Sequence, residues 1–177
     1  MSELFREHHF EPVIVGGSAI EFYTDGAYMS GDTDICWAGP WMPTLGQRAD
    51  IMRQIPGVQA KGSKSWRVEG LWIDLLGEVN YLSQKEFVRF VTPNGEVIMI
   101  SAEDSLVGRV FAARKWTGYN EDDDLCARKL MISVLTGGLP FDWDEAFRIA
   151  ASPKYDCVAE LQSMKTEVET ELANPSR

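Results

Sequence analysis

The chain has 177 residues, 45% hydrophobic and 25% charged, the composition of a folded globular protein rather than a disordered one. Its 27 acids against 17 bases give a formal charge of -10, which argues against broad, non-specific adhesion to nucleic acid or anionic membranes but leaves room for a local basic patch. No apolar run approaches the roughly 18 to 20 residues that span a bilayer, and the opening MSELFREHHF lacks the basic-then-apolar order of a signal peptide, so the expected location is the cytoplasm, without membrane attachment.

In chain order, PVIVGG (12–17) predicts a short buried strand and GSAIEFYT (17–24) a helix opening on the glycines. GDTDICWAG (31–39) predicts a second strand. MPTLGQRADIMRQI (42–55) has Leu45, Ala49, Met52 and Ile55 at helical spacing and stops at Pro56-Gly57. SWRVEGLWIDLLGEV (65–79) is rich in β-formers and broken at Gly70, which predicts one bent strand or two. VRFVTPNGEVIMI (88–100) is two apolar runs around Pro-Asn-Gly, a hairpin signal. After Ile100 the pattern turns helical. Ser101 caps a helix running to Trp116, and Asn120 caps a second that ends at Gly137-Gly138. FDWDEAFRIAAS (141–152) and the stretch from Pro153 to Ala173 predict two more, the last frayed. The expected fold class is therefore α/β (α+β): a mixed β-sheet core with helices over residues 1–100, followed by a helical part, 101–177, packed on it. Cys36, Cys126 and Cys157 are odd in number and form no C-x-x-C, so reduced thiols are expected.

Chemistry is signalled by acids where strands should bury apolar groups. Residues i and i+2 of a strand share a face, so Asp32 and Asp34 project together. Asp74 sits in LWIDLL, which reads as a strand apolar on both faces, where an ionised carboxylate is costly without a cation or donor. Taken alone, an Asp-x-Asp beside glycine is most often a solvated turn. If the two strands are neighbours, however, three carboxylates converge into a cage for two Mg²⁺ ions, or Mn²⁺ in their place, roughly 4 Å apart. The turn Gly16-Gly17-Ser18, where a strand hands over to a helix, adds free amides of the kind that bind phosphate.

GGSAIEFYTDGAYMSGDTDI followed by WIDLL resembles the nucleotidyltransferase fold of the DNA polymerase β superfamily, and is most similar to its AbiE-type toxin and minimal nucleotidyltransferase groups. The resemblance covers roughly residues 12–76, and more loosely reaches about 130; Ser30, two residues before Asp32, fits it. It implies that Gly16, Gly17 and Ser18 hold the triphosphate of an NTP such as ATP. It also implies that Asp32 and Asp34 ligate both metals, and that Asp74 ligates one and activates an acceptor hydroxyl. Toxin-type relatives carry an arginine where this chain has Tyr28, and a lysine in the first helix after the sheet where it has Arg109; their closing Asp-Ile or Asp-Leu corresponds to Asp124-Leu125.

In the helical half, Arg109 and Lys115 are the residues expected to reach the β- and γ-phosphates, because charge moves to the leaving pyrophosphate. Asp124 aligns with Ala127, Met131 and Val134, so it should be partly buried and paired with Arg109 or Lys115. The expected function is metal-dependent transfer of an NMP from an NTP to an acceptor hydroxyl on tRNA, a protein or a small molecule, with a toxin–antitoxin or phage-defence role and an antitoxin partner in view. For tRNA, Arg53, Lys61, Lys64 and Arg67 are the basic surface. The alternative is a non-catalytic nucleotide-binding or protein-interaction module on the same fold.

Overall fold

The computed structural model describes residues 1–39, 41–93 and 95–174, which fall into two compact units. The first comprises Met1–Ala19, Met29–Tyr81 and Phe87–Ile100; the second comprises Ile20–Tyr28, Leu82–Glu86 and the chain from Ser101 onward.

The first unit is a seven-stranded mixed sheet in the order β3-β4-β5-β2-β1-β7-β6. Its strands are β1 (Glu11–Val15), β2 (Asp32–Ala38), β3 (Gln59–Ala60), β4 (Ser65–Val68), β5 (Leu71–Glu78), β6 (Val88–Thr92) and β7 (Gly95–Met99). In the middle, β2 runs antiparallel to β1 and parallel to β5. The stretch 65–79 is two strands, because Glu69 and Gly70 both take positive φ, 50° and 94°, and close a two-residue turn. The 88–100 run is an antiparallel hairpin pairing Thr92 with Gly95; Asn94 lies outside the described residues.

Helix α1 (Ser2–Glu7) escapes the periodicity reading because six residues bury only Phe5. Helix α2 (Gly16–Tyr23) opens on the glycine pair. Helix α3 is shorter than 42–55, spanning Leu45–Met52, since Thr44 and Gln47 form a capping box that fixes its start. One face of the sheet meets α1 and α3: Ile35 and Trp37 of β2 and Ile73 and Leu75 of β5 pack with Phe5, Ile51, Met52 and, from β4, Trp66. The Phe5 and Trp37 rings lie 4.8 Å apart, and the Trp37 indole N–H donates to the Leu76 carbonyl at 3.1 Å. Arg48 of α3 is also buried here, with its guanidinium donating to the carbonyls of Pro43 and Leu75 and stacked over Trp37. With alternate residues of β2 and β5 committed to this core, the others are forced onto the opposite face.

The second unit contains α4 (Ala102–Phe111), which continues into one π-helical turn (Ala112–Trp116), then α5 (Glu121–Leu135), α6 (Trp143–Ala150) and α7 (Val158–Ala173). Ser101, Asn120 and Asp142 cap α4, α5 and α6 through their side chains. Helix α7 begins five residues later than Pro153, because Asp156 sits at φ 44° and breaks the run. The segment Leu82–Glu86 belongs with these helices because their buried acids hold its backbone. Asp104 accepts from the amides of Leu82 and Ser83 at 3.1 and 2.8 Å, and Glu145 accepts from the Gln84 amide at 2.6 Å and the Ser83 hydroxyl at 2.8 Å. Among the described residues, no helix is long and apolar enough to cross a membrane.

Candidate active site

Asp32 and Asp34 lie on the face of β2 opposite Ile35 and Trp37, and the parallel register sets Asp34 directly against Asp74 of β5. The three carboxylates each place an oxygen within 4.8 Å of the others; Asp32 is exposed, the other two half-buried. β5 is not apolar on both faces as its sequence suggests. Trp72, which shares the face of Asp74, is 39% exposed, so that carboxylate looks onto accessible surface rather than into a core. An all-oxygen anionic set of this size suits a hard divalent cation, Mg²⁺ or Mn²⁺, better than a soft one.

On the other side of β2, the register pairs Val15 with Asp34, so the glycine turn emerges beside the acids. Gly16 has φ 66°, and a β-carbon there would collide with the Asp34 carboxylate; only glycine permits the approach. Gly17 is buried and Ser18 half-buried. The Ser18 hydroxyl donates to the Asp32 carbonyl at 2.6 Å, fastening the first turn of α2 to the start of β2. Ser30 donates to the same carbonyl at 2.9 Å. Both hydroxyls therefore hold the backbone that aims Asp32.

Cys36, two residues beyond Asp34, has its thiol pushed up to about 11 by burial, with the Asp34 carboxylate adding to the effect and Arg48 opposing it. It stays protonated and is not a nucleophile.

The acid pair Asp32 and Asp74 also lines a pocket of about 610 Å³ whose other walls are Gly31, Lys61, Ser65 and Trp72. Lys61 belongs to the basic set read from the sequence, whereas Ser65 and Trp72 do not. Their signal was the strand period: Trp72 stands two residues before Asp74, and Ser65 pairs with Asp74 across the β4–β5 hairpin. Arg53 is held by Asp50 on α3, at 2.9 Å.

The remaining predicted residues lie in the helical unit. Arg109 is paired with Asp123, and Lys115 with Asp156 at 2.9 Å. Asp124 is buried, 3% exposed, but its partners are Arg114 at 2.8 Å and Arg128 at 2.7 Å, not Arg109 or Lys115. Arg114, five residues beyond Arg109 and on the π-helical turn, reaches both Asp124 and Glu167. Glu167 is held down to about 2, chiefly by its hydrogen bond to Arg114.

No protein-family model and no curated protein matches the chain. Its fold nevertheless recurs among solved structures. An antigenic nucleotidyltransferase-like protein from Paracoccidioides brasiliensis superposes with a TM-score of 0.59 at 12% identity, over 99% of this chain and 87% of the other. The antibiotic-resistance factor ANT(2'')-Ia superposes with a TM-score of 0.51 at 12% identity in solution, over 97% and 88% of the two chains. Its crystal structure in complex with adenylyl-2''-tobramycin gives 0.51 at 12%, over 96% and 93%. The likeness supports a nucleotidyltransferase fold for this protein, a mixed α/β architecture built around the sheet that carries the three acids.

Proposed function

We propose that the protein is a metal-dependent nucleotidyltransferase that moves a nucleoside monophosphate from an NTP to an acceptor hydroxyl and releases pyrophosphate. The observation that carries this reading is the convergence of Asp32, Asp34 and Asp74 within 4.8 Å beside a glycine turn that Asp34 leaves no room to widen. A set of three carboxylates has no need of such crowding for stability, since like charges repel.

Asp32 and Asp34 would hold two divalent cations, and Asp74 one of them. Bound there, the cations would neutralise the triphosphate and polarise the attacked phosphorus. The backbone of Gly16 and Gly17, where α2 begins, orients the phosphates, favoured by the positive end of the helix. Asp74 takes the proton of the acceptor hydroxyl. The acceptor oxygen then bonds to the α-phosphorus as the bond to the β-phosphate oxygen breaks, and pyrophosphate leaves with that electron pair. Arg109 and Lys115 are proposed to receive the charge building on pyrophosphate, each exchanging its present carboxylate partner for phosphate.

The test is incubation of the protein with α-labelled NTPs, Mg²⁺ and candidate acceptors, following label transfer and pyrophosphate. Asp34→Asn keeps the shape of the site and removes one charge, so turnover should fall at least about 10²-fold, about 2.7 kcal/mol of barrier. Equal turnover in the variant would remove Asp34 from the chemistry, and the non-catalytic nucleotide-binding module would take its place.

A further inference from the structure

In the sheet order β4-β5-β2-β1, the glycine turn leaves the acids on the β1 side, while the pocket opens on the β5–β4 side. In-line displacement requires the attacking oxygen and the leaving pyrophosphate to stand on opposite sides of the phosphorus. A donor phosphate held at the glycine turn therefore places the acceptor on the flank occupied by Lys61, Ser65 and Trp72.

That flank has a definite chemical character. Residues 59–68 hold Lys61, Lys64 and Arg67 and no acid, in a chain of net charge -10. Among the described residues neither Lys61 nor Lys64 is in an ion pair, so the charge of Lys61 is offered to the pocket. Trp72, 39% exposed, supplies an aromatic wall, and the Arg67 guanidinium stands 5.9 Å from its ring centroid. Asp32 and Asp74 line the pocket too, and once cations bound there neutralise them a polycationic acceptor would meet the charge of Lys61. A planar ring bearing a phosphate would stack on Trp72 and place its charge near Lys61 and Arg67. A volume of about 610 Å³ accommodates one nucleotide.

We infer that Lys61 and Trp72 select the acceptor, and that it is a nucleotide: a planar base with a phosphate, presented either as a free mononucleotide or as the end of a single strand. This rests on the nucleotidyl-transfer reading for the meaning of the flank, but not for the binding itself.

The experiment uses the full chain, saturated with Mg²⁺ and a non-hydrolysable ATP analogue to fill the donor side. Binding of AMP, of a short single-stranded RNA and DNA ending in A, and of tobramycin is then measured by calorimetry or anisotropy. AMP or the oligonucleotides should bind well and tobramycin poorly. Trp72→Leu and Lys61→Glu should each weaken the nucleotide probes by about tenfold, the effect of one lost base stack or one charge-assisted contact. Lys61→Glu should improve tobramycin, and the ATP analogue should be affected far less than the probes. Tighter binding of the oligonucleotides than of AMP identifies a strand end as the source; equal binding identifies the free nucleotide. Tobramycin binding the wild type as tightly as nucleotide, or both variants binding nucleotide unchanged, overturns the inference. If the ATP analogue does not bind at all, the donor reading fails on its own, and the dependence of AMP binding on Lys61 and Trp72 still decides the pocket.

Discussion

Asp34 is pressed between two neighbours, Asp74 across the parallel register and Gly16 beyond the antiparallel one. These contacts predict opposite responses to two small substitutions. Gly16→Ala puts a side chain into the left-handed region and against the Asp34 carboxylate, which should cost about 1–2 kcal/mol from the backbone alone, plus displacement of Asp34. A urea titration showing wild-type stability would mean the turn can relax. Asp34→Asn relieves repulsion among three carboxylates, so without metal its melting temperature should equal or exceed that of the wild type. A clear drop would make Asp34 a structural residue. In the helical unit, the Arg114 hydrogen bond holds Glu167 at about 2, below its ordinary 4.5. A carboxylate with a depressed folded-state pKa contributes fully above the unfolded value and loses that contribution as pH falls toward the folded one. Wild type should therefore lose melting temperature between pH 4.5 and pH 2 more steeply than Glu167→Gln, and parallel curves would show the pair to be ineffective.

Elements announced themselves where a local signal fixed them. The glycine pair, the caps at Ser101 and Asn120, and the strand acids were all legible because each depends on one or a few adjacent residues. The meeting of Asp34 with Asp74 followed from assuming their strands adjacent, since a carboxylate in a strand demands a reason. The pocket was less legible. Trp72 follows from Asp74 by the strand period, but Ser65 faces the pocket only because Glu69 and Gly70 form a two-residue turn that sets it opposite Asp74, and a turn one residue longer would have sent its side chain to the core side. The partners of Asp124 were misread for a related reason: helical spacing gives the face of one helix but not which arginine of the next turn reaches it, and the π-helical turn shifts Arg114 into place. The cap on α5 offers a direct check on the local reading. The Asn120 side chain accepts from the Asp123 amide at 3.0 Å, so Asn120→Ala should cost about 1 kcal/mol in a denaturant titration. No loss would mean that the four acids of that first turn suffice.

For the molecule as a whole, binding and chemistry should be linked through the same three acids. Mg²⁺ together with ATP should raise the melting temperature of the wild type by mass action but leave Asp34→Asn nearly unmoved. If the transfer acts on a cellular acceptor in the manner of a toxin, induced expression of the wild type should slow growth and Asp34→Asn should not; equal arrest by both would detach toxicity from the carboxylates. The strap Leu82–Glu86 has a consequence for how the chain is made. Its amides and the Ser83 hydroxyl find their acceptors on Asp104 and Glu145, side chains that a ribosome adds up to about sixty residues later. A nascent chain released at residue 100 would expose the strap without its acceptors, and a fragment starting at Ser101 would bury Asp104 without its two amide donors and leave Glu145 to Arg148 alone. Each piece should be less stable alone than in the whole chain, and translation has to pass Glu145 before the strap meets its last acceptor.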